Sequence, residues 1–197
     1  MIRIAMFGLL LVTSSGMAAD LTTVFGLQLG SNFDIPECSK QGITYQKPLA
    51  GSCQGAFSTS DSEGSYDGAV RVERAVVIFA EGEQPAIVVG NLLATTLDGN
   101  LVSIEFPTAG PVAAPFVMDA LREKFGRESK AEKYQLTNRL GISTEHLSAQ
   151  WNLNSVHVSY MELLPGARVG RVEIDNPSGL VHRRSKEVHP KDQGTKL

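Results

Sequence analysis

Cys38 and Cys53 are the only thiols in the 197-residue chain. Four chemistries compete for them: a staple, a redox couple, a metal clip, or two idle thiols. A redox couple usually keeps its cysteines close, as C-x-x-C, whereas these lie fifteen positions apart. A zinc site takes about four ligands, and His146, His157, His182 and His189 all lie far downstream. Gly42, Pro48 and Gly51 let the intervening chain turn back. A structural Cys38–Cys53 disulfide is the expectation. Closing a loop of this size is worth about 3 kcal/mol in the chain-entropy model.

Other reactive residue types give weaker patterns. Asp61, Glu63, Ser65 and Asp67 alternate like the first oxygen ligands of a calcium loop. Tyr66 stands where that loop needs its glycine, and Val72 where it needs its closing glutamate, so a solvated loop is the better reading. His157 sits in an alternating strand pattern and reads as an exposed strand position. His146 lies at a loop-to-strand border. No G-x-S-x-G, H-E-x-x-H, Walker or dinucleotide fingerprint occurs. A Ser-His-Asp arrangement needs no proximity in sequence, so it stays open. Trp151, the single tryptophan, falls on the apolar side of its alternation, between Ala149 and Leu153. No catalytic, cofactor-binding or metal-binding residue is assigned, and no cofactor is expected.

Whether two cysteines join depends on the compartment, and the first residues bear on that. Arg3 precedes an apolar run from Ile4 to Val12, followed by small and polar residues and the small-residue site "GMAAD". This is the layout of a secretory signal peptide. The run is too short for a bilayer, which needs about 20 residues. Cleavage is expected after Ala18 or Ala19, and no cysteine is placed for lipid attachment there. The mature protein is expected in the periplasm or outside the cell, where paired cysteines oxidise.

The mature remainder suits one domain, long enough to bury a core without many disulfides. Apolar residues make up 42% of the chain, as in a folded globular protein. The net charge of −3 gives no basic surplus for nucleic acid. No apolar run in the mature chain is long enough to span a membrane.

These residues need elements to hold them. A short first strand is expected around Val24–Leu29, then the disulfide loop, then an exposed loop over 54–69. Val70–Phe79 reads as a strand, and Ile87–Val89 as its antiparallel partner after "EGEQP". Asp98-Gly99 is a tight hairpin turn, after which Val102, Ile104 and Phe106 should face the core. Ala114, Met118, Leu121 and Phe125 recur at helical spacing, giving one main helix over about 112–125 that stops at Gly126. "KAEKYQLTNRLGISTEH" is polar and ambiguous. A second hairpin follows, with Leu147, Ala149, Trp151 and Leu153 on one strand and Val156, Val158 and Tyr160 on the next. A last strand places Val172 and Ile174 inward.

The reading is α+β: an antiparallel sheet of several strands packed by one main helix, with one disulfide. Residues 1–19 are a signal peptide, 20–176 a single domain, and 177–197 a flexible polar tail. The functional expectation is an exported, non-enzymatic binding or accessory protein of the cell envelope, of inhibitor, immunity or assembly-factor type. Its partner would be another envelope or exported protein, not nucleic acid. The alternative is a small periplasmic hydrolase with a dispersed active site around His146 or His157.

Overall fold

The computed structural model describes residues 20–41, 44–56, 65–67, 70–138 and 140–187. The signal-peptide reading over 1–19 and the acidic positions Asp61 and Glu63 lie outside them. The fold is α+β. Its strands are β1 (Thr23–Val24), β2 (Leu27–Gln28), β3 (Lys40–Gln41), β4 (Thr44–Tyr45), β5 (Ser52–Ala56), β6 (Ser65–Asp67), β7 (Val70–Phe79), β8 (Leu92–Leu97), β9 (Asn100–Thr108), β10 (Lys130–Thr137), β11 (Ser143–Asn152), β12 (His157–Met161) and β13 (Gly170–Asp175). The helices are α1 (Ala114–Phe125), entered through a 3-10 turn over Gly110–Ala113, and α2 (Pro177–Glu187).

Among the described residues, nine strands form one antiparallel sheet in the order β10-β11-β12-β13-β9-β8-β7-β5, with β6 also on β7. β5 and β6 pair with successive halves of the same β7 edge. β1–β2 and β3–β4 are separate short hairpins. The expected first strand is thus two, because Phe25 and Gly26 take φ of 51° and 79° and fold it back on itself.

One sheet face carries the core. Ala114, Val117, Met118, Leu121 and Phe125 of α1 pack there with Trp151, Val158, Tyr160, Val172, Ile174 and Phe106. Their three- and four-residue spacing puts them on one side of the helix. Gly126 ends α1 at φ 77°, a conformation that favours glycine. The β1–β2 segment covers the rest of this face, with Phe25 edge-on to Phe106 at 5.3 Å.

The exposed loop expected over 54–69 is strand where it is described, running into β5 (Ser52–Ala56) and through β6 (Ser65–Asp67), because both pair with β7. The structure departs from the expectations at four further places. First, Leu101, not Val102, joins the core beside Ile104 and Phe106. The β8–β9 register jumps from Thr95↔Ser103 to Thr96↔Leu101, so Val102 is a bulge residue turned to the other face. Second, Ile87–Val89 is not a strand; the partner of β7 is β8. Third, the ambiguous polar stretch is a regular hairpin, β10–β11, with eight paired positions. Fourth, the first part of the expected tail, residues 177–187, is helix α2, while 188–197 lie outside the described residues. Asn176 caps that helix by accepting the Gly179 N–H at 2.8 Å.

Candidate functional site

The structure joins Cys38 to Cys53, with Cα atoms 4.9 Å apart. Both are buried against Ile78, with Tyr45 and Val76 beside them. The bond fixes chain 36–38 along the outer side of β5. There the Gln54 N–H donates to the Pro36 carbonyl, and the Cys38 N–H donates to the Gln54 carbonyl, both at 2.8 Å. The Ala56 N–H donates to the Tyr45 hydroxyl at 2.8 Å. At Gln54 and Ala56 this edge of the sheet is closed.

Trp151 is fully buried, as its alternation predicts. His157 is half-buried and lies 2.8 Å from Asn152 Oδ1 through Nδ1. Burial lowers its pKa below the usual histidine value, against the pull of Asp175 across the strand. The structure brings no hydroxyl nucleophile to it among its described hydrogen bonds. His182 lies on α2, and His189 is outside the described residues.

His146 has different company. Its Nε2 lies 2.7 Å from Thr144 Oγ1, and its Nδ1 lies 3.6 Å from Glu162 Oε1. Glu162 spends its other oxygen on the Leu147 N–H at 2.7 Å. Tyr134 packs its ring 5.8 Å from the imidazole, and its hydroxyl donates to the Leu163 carbonyl. Burial raises the Tyr134 and Tyr160 phenols above their ordinary range. The order hydroxyl, imidazole, carboxylate resembles a nucleophilic relay, but 3.6 Å is too long for a hydrogen bond between imidazole and acid.

The face opposite α1 carries polar rows that follow from the register. One row runs Asn152, His157, Asp175, Ser103, Thr95, Arg74; the next runs Gln150, Ser159, Glu173, Glu105, Leu93, Val76. Glu105 and Glu173 are therefore directly opposite, a repulsive cross-strand pair. Two arginines offset it. Arg171 reaches Glu173 at 3.0 Å and Glu105 at 3.6 Å. Arg183, from α2, reaches Glu173 at 2.9 Å and Glu105 at 3.6 Å.

Arg183 also forks onto Asp175 with two bonds of 2.9 Å and donates to Ser103 Oγ at 2.7 Å. Asp175 is 1% exposed. Burial works against the charge on Arg183, but Asp175, Glu173 and Glu105 outweigh it and raise its pKa. For Glu173 burial wins and raises the pKa, although both arginines and the Ser159 hydroxyl oppose this. A cleft of about 300 Å³ opens beside the cluster, with Val72 and Val102 among its lining and Lys186 at α2. These carboxylates are engaged by guanidinium groups, which suits a clamp holding α2 on the sheet better than proton transfer. Among the described residues, no group of three or more His, Cys, Asp or Glu is placed to hold a metal ion.

The β10–β11 hairpin extends past its neighbour. Its ladder continues from Lys133↔Leu147 to Thr137↔Ser143, whereas β12 pairs with β11 only from Ser148 onward. A turn closed by Asn138 N–H to Ile142 O at 2.9 Å ends it, with Gly141 at φ 78°. Opposed residues share a side, so Tyr134, Leu136, His146 and Ile142 form one side of this ribbon. Lys133, Gln135, Thr137, Ser143, Glu145 and Leu147 form the other. At the tip Leu140 is 84% exposed and Ile142 57%. The sequence signal for this feature was the pair Leu140 and Ile142 around Gly141, hidden in a polar run.

Compared with protein-family models, curated proteins and solved structures, the chain matches none. Among the described residues no helix is long and apolar enough to cross a membrane.

Proposed function

We propose that the mature chain is an exported binding or accessory protein of the cell envelope, of inhibitor, immunity or assembly-factor type. It meets another envelope or exported protein through the β10–β11 ribbon. The observation that carries this reading is the projecting hairpin with an apolar tip, Leu140 and Ile142, presented to solvent. The leader-like first residues and the buried disulfide support the compartment. The test is photo-crosslinking. A benzophenone amino acid replaces Leu140 in the mature protein, which is then mixed with its own envelope extract. The expected result is one discrete adduct, absent when the probe replaces Asp119 on exposed α1 surface. No adduct, or the same adduct from both positions, overturns the reading.

A specific observation also favours the alternative, a small hydrolase. It is the line Thr144, His146, Glu162 at 2.7 Å and 3.6 Å. The second contact is too long to orient the imidazole, so this reading ranks below the first. Hydrolysis of a p-nitrophenyl ester panel, abolished by Thr144→Ala and by His146→Gln, would reverse that ranking.

A further inference from the structure

The two edges of the sheet are treated differently. At the β5 edge, the outward N–H and C=O of Gln54 and the N–H of Ala56 are all occupied, and a disulfide holds the blocking segment in place. At the β10 edge no strand pairs with the outer side among the described residues. The ladder tells which groups are open there. Asn138 donates to Ile142 across the hairpin, and antiparallel pairs alternate between bonded and non-bonded. The N–H groups of Leu136, Tyr134 and Glu132 therefore point at β11. Those of Ala131, Lys133, Gln135 and Thr137 point away from it.

Natural proteins guard such edges with lysine, whose charge repels an incoming strand. Here Lys130 pairs with Glu132 at 2.7 Å and Lys133 with Glu145 at 2.6 Å. The guard charges are matched within the ribbon, so an approaching strand meets a neutral edge. Beyond Leu147 the ribbon is also two-sided, with Leu136 and Ile142 on one side and Gln135, Thr137, Ser143 and Glu145 on the other.

We infer that β10 receives an extended, uncharged segment of a partner protein as a tenth strand. The deduction rests on the binding-protein reading above and names its mode. The main chain of the guest pairs with the outward amides of Ala131, Lys133, Gln135 and Thr137. Its apolar residues, at every second position, continue the side that bears Leu136 and Ile142. Matched charges on the edge select against a strongly charged guest.

The test uses the full mature chain and a ten-residue peptide alternating Val and Thr. The peptide is N-methylated at alternate amides so that only one of its edges can pair; a peptide methylated on every amide is the control. Amide NMR and hydrogen exchange are the readouts. The expected result is binding with slowed exchange at Ala131, Lys133, Gln135 and Thr137, and little change at Glu132, Tyr134 and Leu136. The fully methylated control should bind at least tenfold more weakly. Gln135→Pro removes an outward donor at an edge position, where proline is tolerated, and should weaken binding by a similar factor. Equal binding of the two peptides, or no binding at millimolar concentration, overturns strand addition. Shifts confined to Leu140 and Ile142 also overturn it, while leaving the ribbon as a binding surface. A crosslink from position 140 without peptide pairing at β10 separates the two readings in the same way.

Discussion

The indole N–H of Trp151 donates to the carbonyl oxygen of Gly126 at 2.7 Å. This bond joins the residue that ends α1 to the last residues of β11, one position before its end at Asn152. It locks the helix axially, because Gly126 also donates its N–H to Arg122 at the helix end. Trp151 therefore fills the core and aligns the helix on it.

Trp151→Phe should remove the bond and leave a space beside α1. A lost neutral hydrogen bond costs about 1 kcal/mol, and the smaller ring adds a cavity cost. A loss of about 2–3 kcal/mol is expected, read as a lower urea midpoint by circular dichroism. A change below about 0.5 kcal/mol would show that the bond and the packing are replaceable.

Arg183 is the second lock. Substituting methionine would strand the carboxylate of Asp175 in a buried site and take from the opposed Glu105 and Glu173 one of the two arginines that offset their repulsion. Removing one partner of a buried pair costs about 3–5 kcal/mol. Hydrogen exchange should show the amides of α2 opening first, before the β9–β13 ladder. Arg183→Lys should recover less than half the loss, since an ammonium cannot fork onto Asp175 while also reaching Ser103 and Glu173.

These two locks differ in how legible they were. Trp151, Val158 and Tyr160 alternate strictly, and α1 repeats its apolar residues at helical spacing, so the core face could be read from the pattern. α2 could not. Its sequence "PSGLVHRRSKE" has a meagre apolar stripe, and it is held by Arg183 and by a close approach at Gly179, where an added Cβ would lie 2.3 Å from the Val102 carbonyl oxygen. Tertiary ion pairing leaves no periodic trace. β10 was hidden for another reason: an edge strand with one neighbour buries little, so "KAEKYQLT" has no apolar face to announce it. The Val102 bulge shifted the parity of β9 by one, which alternation alone cannot anticipate.

Two of the groups with shifted pKa values, Glu128 and His157, give separable pH responses. Arg122 forks onto Glu128 at 2.7 and 2.9 Å and holds that carboxyl at about 2. A lowered carboxyl contributes stability that is present above its unfolded value of 4.5 and is lost as pH falls toward 2. Glu128→Gln should flatten the stability profile in that window and leave the profile above pH 6 parallel to the parent. His157 is also lowered, by burial. For a histidine this means the unfolded chain takes the proton first, so stability falls as pH drops below 6.5. His157→Gln should remove that slope just below pH 6.5. Urea midpoints measured from pH 2 to 8 check both, and an unchanged slope in either variant refutes the corresponding assignment.

The disulfide does more than shorten a loop. Cys38→Ala with Cys53→Ala should cost about 3 kcal/mol by the chain-entropy model. If loop closure were its whole role, the double variant would be less stable but otherwise unchanged. The backbone bonds between 36–38 and Gln54 imply a second effect. Without the covalent link, that segment can lift from β5 and expose the Gln54 N–H and C=O. The sheet would then have two open edges, and edge-to-edge association becomes available. Light scattering of the double variant should show concentration-dependent growth at temperatures where it remains folded by circular dichroism. Hydrogen exchange should place the newly unprotected amide at Gln54. A monomeric double variant that still protects Gln54 would mean that the hydrogen bonds alone hold the β5 edge closed.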